Sequence, residues 1–214
     1  MPKQNRVTPL GEIVATPARG TLLGNRGCLH DEHQHLKRNY QLQRWIICVL
    51  DFKNRRRTVM TPGQYTELFF LDEATALAAG HRPCAECQRA RFNEFRAIWA
   101  QANIDLAGSA KPLATKIDAV LHHERLDVNE RKITYPDRLA ALPDGTFIQL
   151  PGDDTAWLVM GDQVLAWSAF GYTQHIERPA GQTTVTVLTP RSIVRALAAG
   201  YRAGVHSSAF QSNP

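Results

Sequence analysis

The chain has 214 residues, 43% of them hydrophobic and 21% charged, which is enough to bury a sizeable core and lacks the bias of a disordered polymer. No apolar run approaches the ~18 residues that a membrane span requires, and the first residues do not read as a secretory leader. The net charge of +5 is uneven: residues 1–104 hold 15 Lys and Arg against 9 Asp and Glu, whereas residues 105–214 hold 10 against 11. The positive surplus lies in the first half, where a basic surface would attract phosphate polyanions without reading sequence.

Residues 1–27 are mixed and glycine-punctuated, and read as short strands and loops. "RWIICVLDF" (44–52) is β-branched and aromatic and predicts a strand; "KNRRR" (53–57) is its turn, and "TVMTPGQYTELFFL" (58–71) returns as extended chain. Asp72 is a natural N-cap for the short helix "EATALAA", which Gly80 closes as a left-handed cap. Pro83 can open the next helix at its first turn, so "CAECQRARFNEFRAIWAQA" (84–102) is expected to be helical from the cysteines onward. Phe92, Phe95, Ile98 and Trp99 form its apolar stripe.

The pattern loosens over 103–112, the candidate boundary between segments 1–104 and 105–214. Residues 115–132 read as a helix that weakens past Asp127. The period then changes to short runs separated by "PDG", "PGDD", "GD", "FG" and "PAGQ", a meander of hairpins in which "MGDQ" is the tightest turn. Thr189-Pro190 starts a last helix that Gly200 closes, and "SSAFQSNP" reads as a loose tail. The fold class expected is α+β: a zinc-bearing strand–helix–helix module, then a β-meander closed by a C-terminal helix, as two domains or one body. "ALAAG" occurs at 76–80 and again at 196–200; Ala, Leu and a capping Gly are what a short helix end prefers, so the repeat reads as two separate helix ends.

Chemistry concentrates at Cys84 and Cys87. A C-x-x-C pair brings two thiols near enough to chelate one metal ion or to form a redox couple. A redox pair normally follows a strand, and this one follows a helix, which favours metal. In a reducing cytoplasm, the compartment expected for four cysteines without an export signal, clustered thiols more often serve metal or chemistry than disulfides. Four ligands complete a structural zinc site, and the other candidates are Cys28, Cys48, His30, His33, His35 and His81.

Residues 67–87, "ELFFLDEATALAAGHRPCAEC", resemble the second half of the zinc-binding module of the Ada DNA-repair proteins. There a strand ending in aromatics leads to a short acid-started helix, then "AAG", an aromatic, "RPC", two residues and "C". The match covers about a tenth of the chain. It implies Zn2+ as cofactor, with Cys84 and Cys87 as one ligand pair; His81 falls where that family has an aromatic and is not expected to bind metal. The family's other pair, C-x-x-x-C, has no counterpart in "MTPGQYTELFF", and one member of it is the methyl acceptor, so methyl transfer is disfavoured. The remaining ligands would then come from upstream: the expected set is Cys28, Cys48, Cys84 and Cys87, with His30 able to replace Cys28.

The function expected is that of a zinc-binding protein associated with DNA or RNA through its basic half, with Arg55, Arg56, Arg57 and Arg89 as phosphate contacts. One alternative is a small metal-dependent hydrolase or nuclease using "HDEHQH" (30–35) or His122 and Glu124. A weaker one is a zinc-activated methyl acceptor at Cys48 or Cys28. No G-x-S-x-G, P-loop, G-x-G-x-x-G or H-E-x-x-H is present.

Overall fold

The structure, a computed structural model, describes residues 1–54, 58–179 and 182–211. It is a mixed α and β architecture built on two six-stranded sheets. The first sheet takes β1 (Gln4–Val7), β2 (Ile13–Ala15), β3 (Leu22–Asn25), β4 (Ile46–Cys48), β5 (Leu68–Phe70) and β6 (Arg82–Pro83) in the order β2-β1-β5-β3-β4-β6. Two of its pairings are parallel, β1 with β5 and β4 with β6. The helices are α1 (Glu73–Ala78), α2 (Arg89–Ala102), α3 (Ile104–Ala107), α4 (Ala114–Arg125) and α5 (Arg191–Ala198).

The second sheet takes β7 (Tyr135–Arg138), β8 (Phe147–Gln149), β9 (Trp157–Met160), β10 (Gln163–Ser168), β11 (Gly171–Glu177) and β12 (Thr184–Val187). Strands β8 to β11 form the expected meander, turning at Gly161 between β9 and β10. The last strand does not continue it: β12 crosses back and inserts between β8 and β7. Alternation along β9 and β10 buries both faces. Leu158 and Leu165 join the layer under α1, while Trp157, Val159, Val164 and Ala166 pack on the other side with Tyr135 and Leu139.

The largest apolar cluster draws on both segments. Phe70, Phe95 and Trp99 from the first meet Ile117, Leu121, Ile193, Leu197 and Tyr201 from the second. The start of α1 binds them polarly as well. Asp72 caps Thr75 and accepts from the Tyr172 hydroxyl (2.8 Å) and the His206 amide (2.9 Å). Glu73 accepts from Arg91, from the Tyr201 hydroxyl (2.6 Å) and from the Gly204 amide (2.8 Å). The tail expected to be loose is therefore anchored as far as a 3-10 turn at Ser207–Phe210, where the Ser208 hydroxyl accepts from the Tyr172 amide.

The two "ALAAG" words make the same C-cap. In each, the glycine amide and the next residue's amide reach back three and five residues, Gly80 to Leu77 and His81 to Ala76, Gly200 to Leu197 and Tyr201 to Ala196, with Gly80 and Gly200 at positive φ. The ring that follows differs in use. Tyr201 meets Glu73, whereas His81, fully buried, accepts from Arg26 Nε at 3.1 Å. Gly80 has a second constraint, because a Cβ there would lie 2.7 Å from the Arg125 side chain.

Candidate metal centre

Two parallel strands create the site. Ile46 and Ile47 of β4 pair with Arg82 and Pro83 of β6, so one step further along each strand sets Cys48 beside Cys84. The Ile47 carbonyl fixes the step by accepting from the Cys84 amide (2.9 Å) and the Gln88 side-chain amide (2.9 Å). The chain then turns over residues 85–88 and closes with the Gln88 amide on the Cys84 carbonyl, which brings Cys87 back to the other two. The cysteines thus precede the long helix, which begins at Arg89 rather than at Cys84. Pro83 pairs in β6 instead of opening the helix, so the C-x-x-C follows a two-residue strand.

The sulfurs of Cys48, Cys84 and Cys87 all lie within 4.8 Å of one another, close enough to hold a metal ion. Three thiolates ~2.3 Å from a tetrahedral zinc stand about 3.8 Å apart, so this spread fits three corners of such a site. The backbone is prepared for negative sulfur. The Glu86 amide points at Cys84 Sγ (3.4 Å), the Cys87 amide supports the same sulfur, and the Val49 amide supports Cys87. The Cys48 thiol is pushed up by its hydrogen bond to Cys84 and by burial, and Cys84 falls to about 5, chiefly through that bond and the amides around it. A dication would let all three ionise.

These cysteines line a cleft of about 420 Å³. Its walls also hold Arg44, Phe52, Tyr65, Glu86 and the buried pair Arg82–Asp118, which is bidentate at 2.9 and 2.8 Å. Burial pushes the Asp118 carboxyl up against the pull of Arg82.

Among known proteins, the chain matches no family model, no curated protein and no solved structure.

Cys28 and His30 are not brought to the trio. Cys48 pairs with Leu23 in the antiparallel β3–β4 ladder, whereas Cys28 lies past Asn25, at the opposite end, after Gly27 at φ 101° has turned the chain. Cys28 Sγ lies 3.6 Å from the His30 carbonyl, and the His30 ring is spent on the Thr66 hydroxyl (2.6 Å) and the Thr61 carbonyl (3.2 Å). The reading that this segment runs extended toward the site fails on that turn.

The hydrolase candidates are likewise occupied or dispersed. The Asp31 carboxylate accepts from the His33 and His35 amides, with both rings exposed. Glu124 caps α5 through the Ser192 amide and hydroxyl (2.6 Å), while His122 stacks edge-on with Tyr40. Among the described residues the cysteine trio is the single group fit for a metal. Of the expected phosphate contacts, Arg89 is exposed on the first turn of α2, and Arg55, Arg56 and Arg57 lie outside the described residues. No helix among the described residues is long and apolar enough to cross a membrane.

Proposed function

We propose that this is a zinc protein in which Cys48, Cys84 and Cys87 hold one Zn2+ whose fourth position opens on the cleft, and that its partner there is nucleic acid. The observation that carries the reading is the placement of three mutually close thiols on the wall of the 420 Å³ cleft. A closed structural site needs a fourth protein ligand, and none joins these three among the described residues. An open position is the arrangement of zinc sites that act on a bound molecule. The resemblance of residues 67–87 to the Ada zinc module supports zinc over other soft-ligand metals, and a reducing compartment such as the cytoplasm would keep the thiols free.

Nucleic acid is favoured by where the cations fall. Arg44 lines the cleft and is exposed, and Arg89 stands two residues beyond Cys87. Arg55–Arg57 follow the cleft residue Phe52 by only a few positions. When bound, the metal would supply a Lewis acid to the cleft that the three cysteines line. The residues around it do separate work: Arg82 and Asp118 fix the wall that Phe52 and Tyr65 also line, and Arg44 offers charge to a phosphate.

Cobalt substitution tests the site. One Co2+ per chain, with sulfur-to-metal charge-transfer absorption, is expected for the wild type and for Cys28→Ser, and should be lost in Cys84→Ser. Loss in Cys28→Ser, or retention in Cys84→Ser, overturns the ligand set. Fluorescence anisotropy with labelled single- and double-stranded oligonucleotides tests the partner. Affinity should fall steeply with salt, and Arg44→Ala combined with Arg89→Ala should flatten the log–log slope by about two, one phosphate contact each. Unchanged slope in that variant removes the nucleic-acid reading while leaving the metal site standing.

A further inference from the structure

Away from the cleft, three cations converge with no carboxylate in direct contact; Asp118, already paired with Arg82, acts on Arg125 only from a distance. Arg26 and Arg125 are each only 1% exposed, and both guanidinium groups lie over the Trp45 ring, 3.8 and 4.0 Å from its centroid. Lys132, half-buried, donates to the Ala78 carbonyl beside them. Among the described residues none of the three has a carboxylate within ion-pair distance. What they have is carbonyls and rings. Arg26 donates to Gly11 and to the neutral His81, and Arg125 donates to Gly80 and Gln43.

Carbonyls and π faces solvate a cation without neutralising it, and buried charges are ordinarily paired. The hydrogen bonds are also incomplete, because Arg26 Nη2 and Arg125 Nε are buried with no acceptor. The three residues line a second cavity of about 310 Å³, together with Gly11 and Trp45. Arg26 Nη2 is turned to the Gly11 side of it, 3.9 Å from where a Cβ on that glycine would stand. Glu12 and Glu130 also line this cavity, but both are exposed. Burial and the mutual repulsion of the cations set the local charge: Lys132 is brought down to about 7 by burial, then by Arg26 and Arg125.

We infer that this cavity is an oxyanion site for a phosphoryl group, carried by free phosphate or by a small monoester and held by Arg26, Arg125 and Lys132. A phosphate dianion matches a cluster of three cations better than a carboxylate, and its several acceptor oxygens can take the orphaned Arg26 Nη2 and the Lys132 ammonium together, with Arg125 adding charge behind them. The volume lies at the small end of ligand pockets, suited to a phosphate with little attached to it. The inference is independent of the zinc reading, since it shares no residue with the cysteine cleft.

Thermal unfolding of the metal-loaded full chain tests it, with inorganic phosphate titrated against sodium chloride at matched ionic strength. Phosphate is expected to raise the midpoint saturably, as a ligand of the native state must, and acetate to give no such rise. An equal response to adenosine monophosphate extends the site to organic monoesters, and its absence assigns the site to the free ion. Arg26 is so deep that its loss can prevent folding, so the deciding variant is Lys132→Met. It should keep or raise the midpoint in chloride, because one of three repelling cations is gone, while the half-saturating phosphate concentration rises at least tenfold. The inference is overturned by a phosphate response no larger than that of chloride, by an equal response to acetate, or by an undiminished response in Lys132→Met.

Discussion

Stripping the metal with a chelator is expected to lower the thermal midpoint of the wild type by about 10–20 °C. Metal binding to a site that does not exist in the unfolded chain is folding free energy, about 10–16 kcal/mol in finger peptides that have no other core. Here large apolar clusters remain without it, so the metal's share should be smaller, on the order of 5 kcal/mol, which corresponds to a shift of that size for a chain of this length. The loss should be local in origin. Strand β6 is only two residues long and sits at the sheet edge, and the crowding that pushes the Cys48 and Cys87 thiols up is relieved when a cation draws all three sulfurs to it. Calorimetry with and without chelator checks this, and Cys48→Ser is the control. That variant should begin near the chelated wild-type midpoint and gain nothing from added metal. A wild-type midpoint within about 2 °C of its starting value after complete metal removal would mean that the ion stabilises nothing.

Local chemistry in the sequence announced the site, and backbone pairing completed it. The C-x-x-C is visible because its spacing is short, and Cys48 could be named because it lies within the strand-forming run 44–52, upstream of the pair. That Cys48 reaches Cys84 depends on the parallel register of Ile47 with Pro83, which no periodicity encodes. Cys28 was a candidate because it and Cys48 are the two cysteines upstream of the pair. Gly27 at positive φ and the antiparallel run of β3 past β4 carry it the other way. Both helix caps at "ALAAG" were legible, since capping is a matter of a few residues. The rings beyond them were not, because their partners Arg26 and Glu73 lie 55 and 128 residues away. The same holds for the cation cluster, assembled from residues 26, 125 and 132, and for β12, whose insertion between β8 and β7 contradicts the simple meander its sequence suggests.

Asp118→Ala is expected to destabilise the protein by about 3–5 kcal/mol, the usual consequence of removing one partner of a buried ion pair. Arg82 would lose both short bonds and keep only the Pro83 carbonyl and the face of Phe92, with its side chain 3% exposed and out of reach of bulk water. Asp118→Asn retains one acceptor oxygen and should cost roughly half as much. The double variant Arg82→Met, Asp118→Leu should recover most of the stability, because apolar replacement of a whole buried pair is often neutral or better. The metal site distinguishes this pair from an ordinary structural contact. Arg82 and Asp118 join α4 to β6, two residues before Cys84, on the wall of the same cleft. The double variant should therefore fold well yet bind cobalt less tightly than the wild type, having lost the bidentate clamp that fixes the strand. Cobalt affinity fully restored along with stability would show that apolar packing alone positions Cys84.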